Sequence, residues 1–398
     1  MRLRTLDRID VAGKTVLVRA DLNVPIKNGR VIDATRLERL RPTLDELASH
    51  GARIVVISHF GRPNGKRDPA LSLRPVADAL RHLLAGRVVV FADDCIGPAA
   101  ETAAAALRPG DVLVLENLRF HTGEEANDAA FAAALGRLGD VYVDDAFSCA
   151  HRAHASIEAL ARRLPSAAGR SLEEELTMLG RALEAPKRPV MAIVGGAKVS
   201  TKLALLENLV GKVDTLAIGG GMANTLLFAR GIVVGRSLCE VDQAPAARAV
   251  LARAAKTDCR ILLPTDAVVA SELKAGAASR TVSLDAIGGE EMILDVGPQT
   301  VTAVQSALTE SRTLLWNGPV GAFEYPPFDA ATMAIARAVA ELTRSGALLS
   351  VAGGGETVAA VNAAGVGGAF SYLSTAGGAF LEWIEGRVLP GVAVLMDG

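Results

Sequence analysis

Aromatic residues are scarce in this chain: they make up 4% of its 398 residues, with two tryptophans and three tyrosines. Hydrophobic residues still account for 50% of the composition, so alanine, valine and leucine supply most of the apolar mass. Such residues are typical of parallel strands that helices bury on both faces. Because this length exceeds what one hydrophobic core usually serves, the composition predicts two domains.

The chain lacks three further features: an excess of basic charge, a cysteine spacing typical of metal or redox sites, and a long apolar run. The net charge of −2 argues against a general nucleic-acid binder. Cys95, Cys149, Cys239 and Cys259 have no CxxC or metal-like spacing, so we expect free thiols in a reducing compartment. We find no apolar signal segment at the N-terminus and no run long enough to span a membrane. These absences predict a cytoplasmic protein without nucleic-acid or membrane partners.

Three successive glycines, Gly353 to Gly355, follow an apolar segment and precede an alanine-rich helix. Residues without Cβ let a phosphate approach the backbone, and a helix N-terminus supplies N–H donors and positive potential. Glu356 places a carboxylate in the first helical turn, within reach of a metal bound to that phosphate. Further glycine turns lie at 193–198, 216–221, 314–319 and 374–378. Several such turns at one sheet edge indicate a nucleotide pocket.

The first half alternates short β-branched runs with segments of helical period, which predicts a parallel sheet with right-handed crossovers. The predicted strands cover 15–20, 52–57, 87–91, 111–115 and 140–143. Polar residues gather after these strands: Asp21, Asn23, Arg36, His59, Arg62, Arg119, His151 and Arg152. Because ligands bind outside the carboxyl ends of such strands, we expect an anion site for a small phosphorylated acid.

The segment 165–189 interrupts the strand pattern. Ser171 is predicted to cap a helix, with Glu174 as its capping-box partner, and a proline-rich exit follows. The second half then resumes the strand–helix scheme, with strands at 190–194, 215–218, 260–263, 292–296, 313–316 and 348–352. We therefore predict an α/β protein of two doubly wound parallel-sheet (Rossmann-like) domains, 1–170 and 186–375, joined by a hinge helix at 171–185.

Lys198 and Lys202 stand four residues apart at the start of a predicted helix, which would place both amines on one face. The Walker A pattern is absent. The chain has only nine lysines against 33 arginines, so lysine at both positions is consistent with a need for a compact point charge. Two solvated helix lysines are an equally good interpretation of this pair alone. Glu324 is a candidate acceptor for a ribose hydroxyl, whereas Asp266 and Asp295 are expected to be turn or cap residues.

Eight motifs together resemble the phosphoglycerate kinase family. They are DLNVP at 21–25, SHFGRP at 58–63, LENLRFH at 115–121, AHRAHAS at 150–156, GGAKVS at 195–200, GGGMA at 219–223, WNGP at 316–319 and GGGE at 353–356. The resemblance runs in order from about Asp10 to Val394. It implies reversible phosphoryl transfer between 1,3-bisphosphoglycerate and ADP, giving 3-phosphoglycerate and ATP, by a magnesium-dependent, hinge-bending monomer.

The resemblance also implies roles for individual residues. The phosphoglycerate site would comprise Asp21, Asn23, Arg36, His59, Arg62, Arg119 and Arg152. The nucleotide site would comprise Lys202, Gly219, Asn317, Glu324, Gly353, Gly354, Gly355 and Glu356, with Glu356 also holding the metal. Arg36, Lys198, Gly354 and Gly377 would stabilise the phosphoryl group in flight. Residues after about 376 would return to the N-terminal domain.

The chain departs from the usual family pattern at Glu356, where the family has aspartate, and at Tyr372, Ala376 and Phe380. Two other functions stay open on sequence grounds. One is another acid kinase on the same scaffold, which assays with acetate or glutamate would detect. The other is a non-catalytic nucleotide-binding regulator, which predicts loss of Arg36 or Lys198, and both residues are present.

Overall fold

The computed structural model describes residues 2–397. They divide into two compact units, which we call unit 1 (2–176 with 388–397) and unit 2 (Thr177–Arg387). Each unit contains a six-stranded sheet in which all neighbouring strands run parallel. The predicted class, two parallel-sheet α/β domains, is confirmed. Within 2–397, no helix is both long and apolar enough to cross a membrane.

Unit 1 contains eight strands: β1 Thr15–Ala20, β2 Ile26–Lys27, β3 Arg30–Val31, β4 Arg53–Ile57, β5 Val89–Ala92, β6 Val112–Leu115, β7 Val141–Asp145 and β8 Ser166–Ala168. The parallel sheet has the order β5-β6-β4-β1-β7-β8, and β2 pairs with β3 in a separate hairpin. The helices are α1 Thr35–Ser49, α2 Arg74–Leu83, α3 Pro98–Ala105, α4 Thr122–Glu125 and α5 Ala129–Gly136, and α6 Arg170–Leu183 begins in unit 1 and ends in unit 2.

Helices cover both faces of the unit 1 sheet. Val16 and Val18 of β1 belong to one apolar cluster together with Leu44 of α1. Leu17 belongs to a second cluster that contains Leu135 of α5. This division follows from the two-residue period of a strand, which sends successive side chains to opposite faces. Burial on both faces explains why these strands are continuous apolar runs instead of alternating ones.

Unit 2 contains nine strands: β9 Val190–Val194, β10 Thr215–Ile218, β11 Arg260–Leu262, β12 Asp266–Ala270, β13 Arg280–Ser283, β14 Met292–Val296, β15 Thr313–Asn317, β16 Leu349–Gly353 and β17 Tyr372–Ser374. Its parallel sheet has the order β11-β10-β9-β15-β16-β17. The helices are α7 Leu203–Val210, α8 Gly220–Ala229, α9 Ala244–Lys256, α10 Pro298–Glu310, α11 Ala330–Arg344, α12 Gly355–Ala363 and α13 Gly377–Ile384.

The strand at 292–296 does not continue the parallel scheme, so that part of the prediction is wrong. Strand β14 pairs antiparallel with β12, which also pairs antiparallel with β13. The connections between these three strands are short, whereas parallel neighbours need a crossover of a dozen or more residues. A small antiparallel sheet is the arrangement that such connections permit.

Helix α6 starts at Arg170, so Ser171 lies inside it and the predicted capping box is wrong. The side chain of Asp145, at the end of β7, takes the place of that cap. Its Oδ1 accepts hydrogen bonds from the backbone N–H groups of Ser171 at 2.8 Å and Leu172 at 3.0 Å. The boundary between the units falls within α6, after Leu176.

The C-terminal residues 388–397, which include helix α14 Pro390–Ala393, belong to unit 1. The backbone N–H of Arg4 donates to the carbonyl of Leu395 at 2.9 Å. The N–H of Asp397 donates to the carbonyl of Arg2 at 2.8 Å. The four cysteines are free thiols, as predicted.

Candidate functional sites

The residues after β1 form a compact polar group in unit 1. The Arg36 guanidinium, at the start of α1, donates to Asp21 Oδ1 at 2.8 Å and to the carbonyl of Asn23 at 2.9 Å. Ser148 Oγ donates to the other Asp21 oxygen at 2.5 Å. Asp21 thereby orients Arg36, while about 30% of the Arg36 side chain stays exposed.

The segment after β4 is tied to its neighbours through Gly61. Its N–H donates to Asn23 Oδ1 at 3.0 Å, and its carbonyl accepts from Arg119 Nη1 at 2.8 Å. Arg119 Nε also lies 3.0 Å from a Glu125 carboxylate oxygen, and only 5% of the Arg119 side chain is exposed. Arg62, the next residue, is exposed. Arg119 is thus a fixed charge and Arg62 an outward one.

Three arginines act electrostatically on His59, which follows β4 and is 9% exposed. Burial, followed by the charges of Arg19, Arg119 and Arg152, lowers the pKa of His59 well below its usual value. Burial and the same three arginines lower the pKa of His154 to about 4. Both histidines are therefore neutral at neutral pH.

We call Asp21, Asn23, Arg36, His59, Arg62, Arg119 and Arg152 the strand-end cluster. All seven follow carboxyl ends of strands in unit 1 or begin the next helix, as predicted. Several guanidiniums beside neutral histidines form a site suited to an anion with more than one charged group. The sequence reasoning missed Arg19, whose signal is a charged residue inside the otherwise apolar run of β1.

Unit 2 contains a cavity of about 290 Å³, which we call the unit 2 cavity. Glycines from the turns after β9 and β10 line one part, including Gly196 and Gly220. Apolar side chains such as Leu238 and Leu294 line another, and Glu324 and Glu356 contribute carboxylates. A mostly apolar pocket with few polar groups is typical of a site for a flat organic ring with a charged tail.

Lys202 is held beside this cavity by oxygen acceptors from two strand ends. Its amine donates to the carbonyl of Gly195 at 2.6 Å and to Asn317 Oδ1 at 2.8 Å. Asn317 in turn donates from Nδ2 to the carbonyl of Gly353 at 2.8 Å. Asn317 therefore links the lysine to the glycine turn after β16. Burial lowers the pKa of Lys202 to about 8, opposed by the negative charge of Glu356.

The expectation that Lys198 and Lys202 share a helix face is wrong. Helix α7 begins only at Leu203, and Lys202 is its N-cap residue. The amine of Lys202 turns inward to Gly195, whereas Lys198 is exposed. The two lysines consequently offer different charges: one is fixed and partly desolvated, and the other is solvated.

The glycine turn after β16 leads directly into α12. Gly354 has φ of +96°, and a Cβ there would lie 2.8 Å from Asn317 Nδ2, so only glycine suits this position. A Cβ on Gly353 would lie 2.7 Å from the Phe380 ring, so this departure from the family pattern packs against the turn. At Gly355 and Gly377, by contrast, an added Cβ would meet no protein atom within 4 Å.

Glu356 lies in the first turn of α12, is exposed and lines the unit 2 cavity. A magnesium ion usually takes one or two carboxylates and fills its other positions with water and substrate phosphates. Glu356 is a single exposed carboxylate next to the glycine turn 353–355, so it suits a magnesium ion that is also bound by a phosphate. Among residues 2–397, one group of three possible metal ligands lies together, and it consists of Asp94, Cys95 and His121 in unit 1. Glu356 does not belong to that group.

Asp266 and Asp295 are cap residues, as predicted. Asp266 Oδ1 accepts from the N–H of Thr300 at 2.9 Å in the first turn of α10. Asp295 Oδ2 accepts from the N–H of Ala331 at 3.0 Å in the first turn of α11. Burial raises the pKa of Asp295 to about 7. Both carboxylates are thus engaged with helix N-termini.

Known proteins resemble this chain in sequence and in fold. The chain is 60% identical to a phosphoglycerate kinase of Methylobacterium radiotolerans over 98% of both chains, and 60% identical to one of Rhodospirillum centenum over 99% of this chain and 100% of that one. The solved phosphoglycerate kinase of Coxiella burnetii superposes with a TM-score of 0.92 at 40% identity, covering 99% of both chains. That of Pyrococcus horikoshii gives 0.82 at 29% identity.

A family model also matches the chain. Residues 6–387 match the model for phosphoglycerate kinase, which includes the strand-end cluster and the unit 2 cavity. The match therefore covers the polar residues of unit 1 as well as the glycine turns of unit 2. From this match and from relatives that align along its whole length, the chain belongs to the phosphoglycerate kinase family.

Proposed function

We infer that this protein catalyses reversible phosphoryl transfer between 1,3-bisphosphoglycerate and ADP, giving 3-phosphoglycerate and ATP. The full-length relationship to phosphoglycerate kinases carries this conclusion. The protein is a phosphotransferase whose acceptor is a carboxyl group. We assign the acid to the strand-end cluster and the nucleotide to the unit 2 cavity.

The charges of the strand-end cluster support its assignment to the acid. At neutral pH 3-phosphoglycerate carries a carboxylate and a phosphate, which guanidiniums bind through paired hydrogen bonds. Arg119 is fixed by Gly61 and Glu125, and Arg36 is fixed by Asp21. Arginines that are already oriented lose little side-chain entropy when an anion binds.

The unit 2 cavity suits the nucleotide because its apolar part matches a base and its glycine turns match phosphates. Lys202 supplies a positive charge for the phosphates, and Glu324 an acceptor for a ribose hydroxyl. Among the glycines of these turns, Gly355 leaves its backbone open to a phosphate, because an added Cβ there would meet no protein atom within 4 Å. At Gly219 to Gly221, Gly353 and Gly354 neighbouring protein atoms occupy that space, so close packing requires glycine there. Glu356 would hold a magnesium ion, which neutralises phosphate charge when it is bound.

The reaction requires no general base, because the attacking carboxylate is already ionised at neutral pH. Catalysis then consists of positioning and charge neutralisation. Arg36, held by Asp21, supplies an oriented positive charge to the phosphoryl oxygens, and the exposed amine of Lys198 supplies a mobile one. The N–H groups at the starts of α12 and α13, near Gly354 and Gly377, supply fixed donors.

We also propose that the protein works in the cytoplasm as a monomer. Four free thiols, three of them buried, support a reducing compartment. Sedimentation of the purified protein with and without substrates tests the monomer, and a stable dimer would contradict it.

A coupled assay with ATP and 3-phosphoglycerate tests the proposed reaction, with acetate and glutamate as alternative acceptors. Substitution Arg36→Ala should lower turnover by roughly 10²- to 10⁵-fold, because a charge beside the migrating phosphoryl group is removed. ADP affinity should stay nearly unchanged. Arg41→Ala is the matched control, since Arg41 lies on the same helix in an exposed pair with Asp45. Near-normal turnover of the Arg36 variant would remove this residue from catalysis.

A further inference from the structure

Arg19 is a buried arginine that directly contacts a residue of the strand-end cluster. It lies on β1 and is 1% exposed. Its Nε donates to Ser156 Oγ at 2.9 Å, and its Nη1 donates to the carbonyl of Ala20. Its Nη2 lies 3.1 Å from Nδ1 of His59. All three nitrogens of this guanidinium are therefore engaged inside the protein.

The contact with His59 determines where the imidazole carries its proton. A guanidinium has only donors and stays protonated in proteins, so Nδ1 of His59 must accept. An accepting Nδ1 has no proton, which leaves the proton of the neutral ring on Nε2. The Cys149 thiol, 3.9 Å from the same Nδ1, is compatible with this arrangement because it is a weak donor.

The position of Arg19 is itself fixed by a second layer of hydrogen bonds. Ser156 Oγ accepts from Arg19 and donates to Glu124 Oε1 at 2.6 Å. The N–H of Ser156 donates to Glu124 Oε2 at 2.9 Å. Glu124 is fully buried and places a negative charge near the guanidinium. The chain from Glu124 through Ser156 thus holds Arg19 against His59.

We propose that Arg19 is a positioning residue that holds His59 as the neutral tautomer with its proton on Nε2. Resting on the assignment of the acid to the strand-end cluster, His59 then gives the acid one directed N–H donor and no charge. The guanidiniums of Arg36, Arg62, Arg119 and Arg152 supply the charge. A donor of fixed direction selects an oxygen at one position, whereas a further cation would attract any anion.

The groups around His59 act in the same direction. Arg19 faces it from β1, Arg119 from the turn after β6, and Arg152 and His154 from the segment after β7. The neutral thiol of Cys149 lies 3.9 Å from Nδ1 of His59. Because the three guanidiniums are positive and His59 is buried, protonation of His59 is disfavoured.

Nuclear magnetic resonance of the free protein tests the tautomer without any substrate. Two-bond ¹H–¹⁵N spectra of ¹⁵N-histidine protein should show Nδ1 of His59 unprotonated and Nε2 protonated from about pH 5.5 to 8. The His59→Gln variant assigns the signal among the six histidines. A proton on Nδ1, or a titration near the ordinary pKa of about 6.5, would overturn the proposal.

Replacing Arg19 tests the cause. In Arg19→Met the loss of the donor should produce a mixture of both tautomers and a higher pKa of His59. Arg53→Met is the control, because Arg53 starts β4 and donates instead to Gly13. An unchanged His59 signal in folded Arg19→Met would refute a positioning role. If that variant does not fold, the titration of the wild-type protein still decides the tautomer.

Two replacements of His59 connect the tautomer to binding. Glutamine carries its amide N–H near the Nε2 position, whereas asparagine carries it near Nδ1. We expect the KM for 3-phosphoglycerate to rise about tenfold more in His59→Asn than in His59→Gln, the value of one hydrogen bond to an anion. Equal losses, or a larger loss with glutamine, would contradict the proposal. Inactivity of the wild-type protein on 3-phosphoglycerate would refute the proposed function but leave the resonance result standing.

Discussion

Glu356 has two possible roles, binding a magnesium ion and stabilising the N-terminus of α12, and two substitutions distinguish them. If it holds magnesium, Glu356→Gln should lose most activity, while Glu356→Asp should retain it, because only the former removes the charge and a hard oxygen. If it only complements the α12 N-terminus, Gln should cost about 0.3–1 kcal/mol of stability and leave turnover nearly intact. Activity titrated against magnesium and manganese measures this difference.

Glu324→Gln is the matched control for Glu356, since Glu324 is also exposed and lines the unit 2 cavity. Its substitution should raise the KM for ATP without changing the magnesium dependence. An active Glu356→Gln protein with the magnesium dependence of the wild type would contradict the metal role. The longer reach of glutamate relative to aspartate should appear as a changed magnesium-to-manganese preference in Glu356→Asp.

The amine of Lys202 predicts a pH dependence of nucleotide binding. Burial lowers its pKa to about 8, so it is charged below that pH and neutral above it. Bound phosphates should raise this pKa again, so binding takes up a proton and ADP affinity should fall as pH rises through about 8. The same shift makes the folded protein more stable as pH rises from about 8 to the unfolded value of 10.5.

Calorimetry of ADP binding in buffers of different ionisation enthalpy measures that proton uptake. It should be largest near pH 8 to 10 and absent in Lys202→Met. Lys198→Met should preserve it, since Lys198 is exposed and lies outside the Lys202–Asn317 contact. Equal proton uptake in wild type and Lys202→Met would show that another group is responsible.

Helices α12 and α13 each begin with a glycine, Gly355 and Gly377, that the packing of the protein does not require. Gly355→Ala and Gly377→Ala should stabilise the free protein by about 0.4–1 kcal/mol, since the added methyl groups meet no protein atom. Both should raise the KM for ATP about tenfold or more if phosphates approach there. Denaturant unfolding and steady-state kinetics measure the two effects.

Gly368→Ala is the control for these substitutions, because its added Cβ also meets no protein atom and Gly368 does not begin α12 or α13. It should change stability by a similar amount and leave the KM for ATP unaltered. If Gly355→Ala and Gly377→Ala leave the KM unaltered as well, phosphates do not approach these helix starts.

The sequence predicts ten of the twelve strands in the two parallel sheets, because burial on both faces makes most of them uninterrupted apolar runs. It misses the edge strands β8 and β17, which have three residues each and no β-branched side chain. It does not predict β12, which is largely buried but pairs antiparallel, or β13, in which three of four residues are exposed. The strand-end cluster is predictable since polar residues follow apolar runs. The inward turn of the Lys202 amine is not, because its acceptor on Asn317 lies 115 residues away in the sequence. Such contacts depend on tertiary structure alone.

The proposed reaction needs both units of the molecule, because each unit is assigned only one of the two substrates. The acid is assigned to unit 1 and the nucleotide to unit 2, while an acyl phosphate hydrolyses unless water is excluded. We therefore predict that the protein closes when both ligands are bound. Helix α6, in which the division between the units falls, is the proposed hinge.

Small-angle X-ray scattering with 3-phosphoglycerate and ADP tests closure without turnover, since this pair has no transferable phosphoryl group. The radius of gyration should fall most with both ligands and little with either alone, because a ligand shifts a conformational equilibrium only by its differential affinity for the two states. Arg36→Ala should weaken the response to 3-phosphoglycerate, whereas Arg41→Ala should not. The four states to compare are the free wild-type protein, the protein with either ligand, and the protein with both. Identical radii of gyration in all four would contradict closure, and water would then have to be excluded by another part of the chain.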